Sequence, residues 1–101
     1  MSKVADITFD HHTCLVSGDL DFSNVMTVYA KSLPQLEASA ELEFDFSQVN
    51  SSDSAGLALI VEWLKFANNH NKPIQFKNLS ADILSLARAA GLDGLISNIG
   101  L

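Results

Sequence analysis

The sequence predicts an α/β fold: a small four-stranded mixed sheet with helices mainly on one face, in the order β-β-α-β-α-β-α. Three observations carry this reading. Segment 41–46 alternates Leu42, Phe44 and Phe46 with Glu41, Glu43 and Asp45, the pattern of a strand with one covered and one wet face. Segment 54–69 is strongly apolar at helical spacing and follows that strand across the serine-rich stretch Asn50-Ser51-Ser52. The last three strands are separated by helical segments, so they should lie parallel or mixed within one sheet.

Each element has its own local cause. Ile7-Thr8-Phe9 and Thr13 to Gly18 flank the polar turn Asp10-His11-His12, which reads as a hairpin. Asp21 or Ser23 can cap a helix beginning near Asn24, whose apolar positions are Val25, Met26, Val28, Tyr29 and Leu33. Pro34 is expected to end it, because the residue before proline is pushed out of the helical region. A loose segment 35–40 then leads to the strand at 41–46. The breaker run Asn68-Asn69-His70-Asn71-Lys72-Pro73 stops the central helix, and Ile74-Gln75-Phe76-Lys77 alternates again as a short strand. Ser80 caps a last helix through Ala90, with Asp82 in its first turn and Arg88 in its last. The tail from Leu92 to Leu101 is apolar enough to pack against the body.

With 101 residues, 48% hydrophobic and 18% charged, the chain suits a single domain spanning residues 1–101. Its net charge of −6 and six scattered basic residues offer no positive stripe for nucleic acid. The same acidity disfavours unaided attachment to an anionic membrane, and the longest apolar run, 57–61, is too short for direct insertion. The N-terminus has no basic flank or apolar h-region, and the single Cys14 points to a reducing compartment; a cytoplasmic location is expected.

The central helix carries more apolar surface than one stripe needs. Leu57, Ile60, Val61 and Leu64 form a sheet-facing arc, and Ala55, Leu59, Trp63 and Phe66 form a second arc. One explanation is cover from the helix at 80–90 or from the tail. The other is a partner docked on Leu59, Trp63 and Phe66, since Trp is enriched at interface hot spots. At the helix start, Asp53 or Ser52 can act as an N-cap. The free N–H groups beside Asp53, Ser54, Ala55 and Gly56 could equally stabilise a phosphate on Ser54. A phosphate there adds about −1.5 to −2 charges, enough to repel an acidic partner. Asp or Glu at position 54 is then expected to weaken partner binding more than Ala does.

Asp45-Phe46-Ser47-Gln48-Val49 followed by Asp53-Ser54-Ala55-Gly56-Leu57 resembles the D-x-S-x-V … D-[ST]-x-G-L signature of STAS domains. Gly18-Asp19-Leu20-Asp21 is similar to their G-E-L-D element, and the element order agrees. The resemblance implies the STAS fold and two branches of function. Runs 53–64, 74–79 and 84–88 look most similar to the MlaB-like cytoplasmic STAS subunit of Mla phospholipid ABC transporters of Gram-negative bacteria. That branch implies an ATPase subunit as partner and a place on the inner membrane through the complex. The second branch, the anti-sigma-factor antagonists, implies an anti-sigma kinase as partner and phosphorylation on the hydroxyl matching Ser54.

Catalysis has little support. His11, His12 and His70 belong to no acid–nucleophile constellation at motif spacing, and there is no Gly-rich phosphate loop. Cys14 reads as a core strand residue and the acids 41, 43 and 45 as a solubilising strand face. No cofactor or metal is expected.

Overall fold

A computed structural model describes residues 4–92. Its elements are β1 (Asp6–Asp10), β2 (Thr13–Leu20), α1 (Val25–Ala38), β3 (Leu42–Ser52), α2 (Ser54–Asn69), β4 (Ile74–Lys77) and α3 (Ala81–Ala89). The sheet order is β1-β2-β3-β4. β1 and β2 form an antiparallel hairpin, and β2–β3 and β3–β4 are parallel pairs. The expected mixed sheet and β-β-α-β-α-β-α order are therefore present. The expected packing of the tail lies outside the described residues beyond Leu92.

Alternation along β3 works as the sequence pattern dictates. Leu42, Phe44 and Phe46 enter the core, and Glu43 and Asp45 stay half-buried on the open face. On that face Glu43 accepts from Thr13 Oγ1 at 2.5 Å and meets Lys77 Nζ at 2.6 Å, so a polar ladder crosses three strands. The Lys77 ammonium and the Thr13 hydroxyl hold the Glu43 carboxyl below the usual carboxylate range. Gly18 sits at φ +87°, and a Cβ there would collide with the Val4 carbonyl.

Two local expectations are corrected. α1 runs on through Pro34 to Ala38 instead of ending at Leu33. Only one backbone bond is forfeited at the proline, while the extra turn carries fully buried Leu36 into the core. Lys72 Nζ then donates to the Leu36 carbonyl at 2.5 Å and the Glu37 carbonyl at 3.2 Å, capping the helix end. The second correction concerns β3, which extends to Ser52 instead of stopping at Phe46. The polar run Ser47 to Ser52 stays extended because β2 offers it a ladder: Gly18 pairs with Val49, Asp19 with Ser51 and Leu20 with Ser52. Backbone pairing outweighs the turn-like composition.

The core lies between the sheet and the helices. Its centre is aromatic: Phe44 stacks on Trp63 at 4.0 Å between ring centroids and on Phe76 at 5.4 Å, with Phe46 meeting Trp63 edge-on. α3 closes the layer through buried Ile83 and Ala87, its start fixed by Ser80 Oγ accepting from the Ile83 N–H at 3.1 Å.

Candidate functional site

The candidate site lies where the parallel strands β2 and β3 end. Leu20 pairs with Ser52, so the next residues, Asp21 and Asp53, leave the sheet side by side and lead into α1 and α2. Both helices therefore begin at the same end of the sheet, each with an acid near its positive terminus. Asp53 is the N-cap of α2 and its carboxylate accepts from the Ala55 N–H at 2.8 Å. Asp21 binds its own turn: it accepts from the Ser23 N–H at 2.8 Å and from Ser23 Oγ at 2.5 Å. Those donors hold its carboxyl below the usual range. Asn24, which occupies the N-cap position of α1, instead ties the β2–α1 turn together through the Asp21 N–H and the Asp19 carbonyl.

The tip residues Asp53 and Ser54 are exposed, and Ser54 is the first residue of α2. Ala55 and Gly56 turn inward and are buried. A Cβ on Gly56 would fall on Ser52 Oγ, so any larger residue here forces the Ser52 side chain at the preceding strand end to shift.

The proposed docking face on Leu59, Trp63 and Phe66 is overturned. Leu59 is 2% exposed, Trp63 0% and Phe66 9%, so none forms an outward face. The two arcs are one: at ~100° per residue, Gly56 and Ala67 fill the angle between Trp63 of the second arc and Ile60 of the first, giving a single broad buried face centred near Trp63. Trp63 faces the sheet, and its indole N–H donates to Ser32 Oγ of α1 at 3.0 Å. Phe66 stacks on His70 at 4.1 Å, with Lys72 Nζ 5.6 Å from its ring centroid. Around Trp63 the cover comes from α1 and the sheet, and α3, the expected helix at 80–90, also packs on α2.

Exposed apolar surface occurs instead where the sequence reading did not place it. Phe22 is 67% and Met26 62% exposed. With Val25, Ala58, Leu59 and Glu62 they line a groove of about 200 Å³ between the starts of α1 and α2. Met26 had the look of a core position, yet the buried side of α1 is Val25, Val28, Ser32 and Leu36. That spacing of three and four residues leaves Met26 to one side of the inward face and brings a serine into it. The pattern was present in the sequence; Ser32 disguised it by occupying an apolar slot.

Among the described residues no group of three or more metal-ligating side chains occurs, and no helix is long and apolar enough to cross a membrane. Burial pushes the Cys14 thiol up to about 11, which suits an inert core residue.

The family model described as the MlaB STAS domain matches residues 5–97. The chain belongs to the MlaB STAS-domain family. No curated protein sequence matches it. Among solved structures, a chain of the Acinetobacter MlaFEDB complex in an ATP-bound conformation is 25% identical, with a TM-score of 0.72, over 92% of this chain and 96% of that one. The unphosphorylated anti-sigma-factor antagonist SpoIIAA is 16% identical with a TM-score of 0.71, covering 97% and 88% of the two chains. The phosphorylated Bacillus SpoIIAA is also 16% identical, with a TM-score of 0.69 and 97% and 91% covered. At that identity the SpoIIAA likeness establishes the STAS fold of this chain and nothing finer.

Proposed function

We propose that this STAS domain is a non-catalytic accessory subunit of an Mla-type phospholipid ABC transporter. In this reading it binds the cytoplasmic ATPase subunit, supports assembly and activity of the complex, and serves outer-membrane lipid asymmetry. It sits in the cytoplasm, peripheral to the inner membrane through its partners. The observation that carries the reading is the MlaB family match across residues 5–97, together with the likeness to a chain of MlaFEDB. The contact surface is built on the exposed tip, Asp53 and Ser54, with Ala58 one turn further along the outward side of α2.

The test is affinity purification of the tagged chain from its source cells, with identification of bound proteins by mass spectrometry. Stable recovery of an ABC ATPase is the expected result. Recovery of an anti-sigma kinase alone overturns the reading.

That kinase belongs to the second reading, an anti-sigma-factor antagonist switched by phosphorylation of Ser54. One feature favours it: Ser54 is exposed at the N-terminus of α2, where the positive end of the helix dipole accommodates added negative charge. Reversible phosphate on Ser54 in cell-derived protein, read by intact mass, would support it.

A further inference from the structure

The groove between α1 and α2 is apolar at its centre and acidic around it. Phe22 and Met26 stand on one side, Ala58 on the other, and Leu59 forms the floor. Glu62 closes one end, while Asp21 precedes Phe22 and Asp53 leaves the sheet beside Asp21. No lysine or arginine occurs between residues 19 and 30 or between 51 and 64. The first cations beyond are already engaged: Lys31 with Asp6, and Lys65 with Glu62 at 3.5 Å.

We infer that the Phe22–Met26–Ala58 groove seats a protein segment that inserts one apolar side chain between α1 and α2 and carries lysine or arginine beside it. The inference rests on the ATPase-binding reading for the identity of the partner, and on the groove alone for its chemistry. Apolar walls gain by excluding water, and the carboxylates of Asp21 and Asp53, neither of which forms an ion pair among the described residues, select a basic flank, with Glu62 already paired to Lys65. A second copy of this chain is the wrong occupant, because a two-fold contact would set Asp21, Asp53 and Glu62 against the same acids at a net charge of −6 per chain. An anionic lipid surface is repelled by the same groups. Methionine on the wall also suits a contact that must adapt to an inserted side chain.

The experiment places a photo-crosslinking phenylalanine analogue at Phe22, at Met26 and, as control, at Gln75 on the open sheet face, in full-length chain expressed in its source cells. The joined peptides are then sequenced. Expected is a cross-link from 22 and 26, and not from 75, to an ABC ATPase peptide with an aliphatic or aromatic residue within four positions of Lys or Arg. The same peptide chemistry in a protein that is no ATPase keeps the groove's assignment and overturns the ATPase reading. An ATPase cross-link from 75 alone does the reverse. An acidic or uncharged peptide, a cross-link to a second copy, or none from 22 and 26, overturns the inference.

Two variants give an independent readout on the recovered partner. Met26→Ser and Glu62→Lys alter exposed or half-buried side chains and should leave the melting temperature within a few degrees. Each is expected to weaken binding tenfold or more. Raising salt from 50 to 500 mM should weaken the wild type further and Glu62→Lys less, since that variant reverses one acidic charge of the groove while Asp21 and Asp53 remain. Wild-type affinity in both variants, or binding indifferent to salt, overturns the inference.

Discussion

The Trp63 indole N–H donates to Ser32 Oγ at 3.0 Å, a buried side-chain bond between α2 and α1. The Ser32 hydroxyl in turn donates to the Tyr29 carbonyl at 2.6 Å, so both partners are satisfied without water. It is the one polar residue among the fully buried side chains described, and it lets a tryptophan lie in the core with its N–H paired. Ser32→Ala leaves that N–H unpaired at a cost of about 1–3 kcal/mol. At ~4–8 °C per kcal/mol for a domain of this size, the melting temperature should fall visibly. Thermal unfolding followed by circular dichroism checks this, and an unshifted melting temperature would deny the bond its role.

Trp63→Glu separates core from surface still more sharply. A partner-facing tryptophan would tolerate the change and lose only association. Stacked on Phe44 with no exposed surface, Trp63 instead leaves both a cavity and an unpaired carboxylate. Expected is loss of the folded state, seen as vanished near-ultraviolet dichroism and poor soluble yield.

What the sequence showed and what it hid follow from the same periodicity argument. β4 and α2 were legible to the residue, because alternation and breaker residues fixed their bounds locally. The Ser80 cap with Asp82 and Arg88 was legible for the same reason. The extension of β3 to Ser52 was not, since it depends on a neighbour across the sheet that no local pattern encodes. The docking face failed because Gly56 and Ala67 are too small to register as apolar positions, so a single buried face looked like two. The exposure of Phe22 and Met26 depends on where α1 lies against α2, which is tertiary information. Of the candidate site, Asp53 and Ser54 are exposed at the tip as read; the apolar part moved from α2 to the α1 side.

Gly56→Ala tests the close approach of β3 to α2. Its new Cβ meets Ser52 Oγ and lies 3.2 Å from Ser52 Cβ, so strand end and helix must separate or Ser52 must turn away. Helix propensity alone would favour alanine by ~1 kcal/mol. A net loss of stability is therefore expected, with part of it recovered in the Ser52→Ala/Gly56→Ala double variant. Urea midpoints of the four proteins close the cycle; strict additivity would mean the two residues do not collide.

Cys14 gives a pH signature. The unfolded thiol ionises near pH 8.5, whereas burial holds the folded thiol protonated up to about 11. The folded state thus binds the proton more tightly, and stability falls as pH rises through that window. Cys14→Ala should lose the thiol's share of this alkaline decline while lowering stability at neutral pH. Urea titrations at pH 7.5, 9.0 and 10.0 measure both, and parallel pH curves for the two proteins would contradict the buried-thiol account.

Ser54 decides between the two functional readings by the sign of a charge effect. Judged from the sequence alone, a negative group at position 54 repels an acidic partner. Asp21, Asp53 and Glu62 change what partner is plausible there, because these acids already select against one. For a basic-flanked partner an added carboxylate is tolerated or mildly favourable, an exposed pair being worth about 0.2–1 kcal/mol. Ser54→Ala and Ser54→Asp are therefore both expected to bind the ATPase within about fivefold of wild type, with Ser54→Asp the tighter of the two. Calorimetric titration at low and moderate salt measures this, and the advantage of Ser54→Asp should shrink as salt rises. Loss of binding by more than tenfold in Ser54→Asp alone, with Ser54→Ala unchanged, is what a phosphorylation switch requires and would favour the antagonist reading.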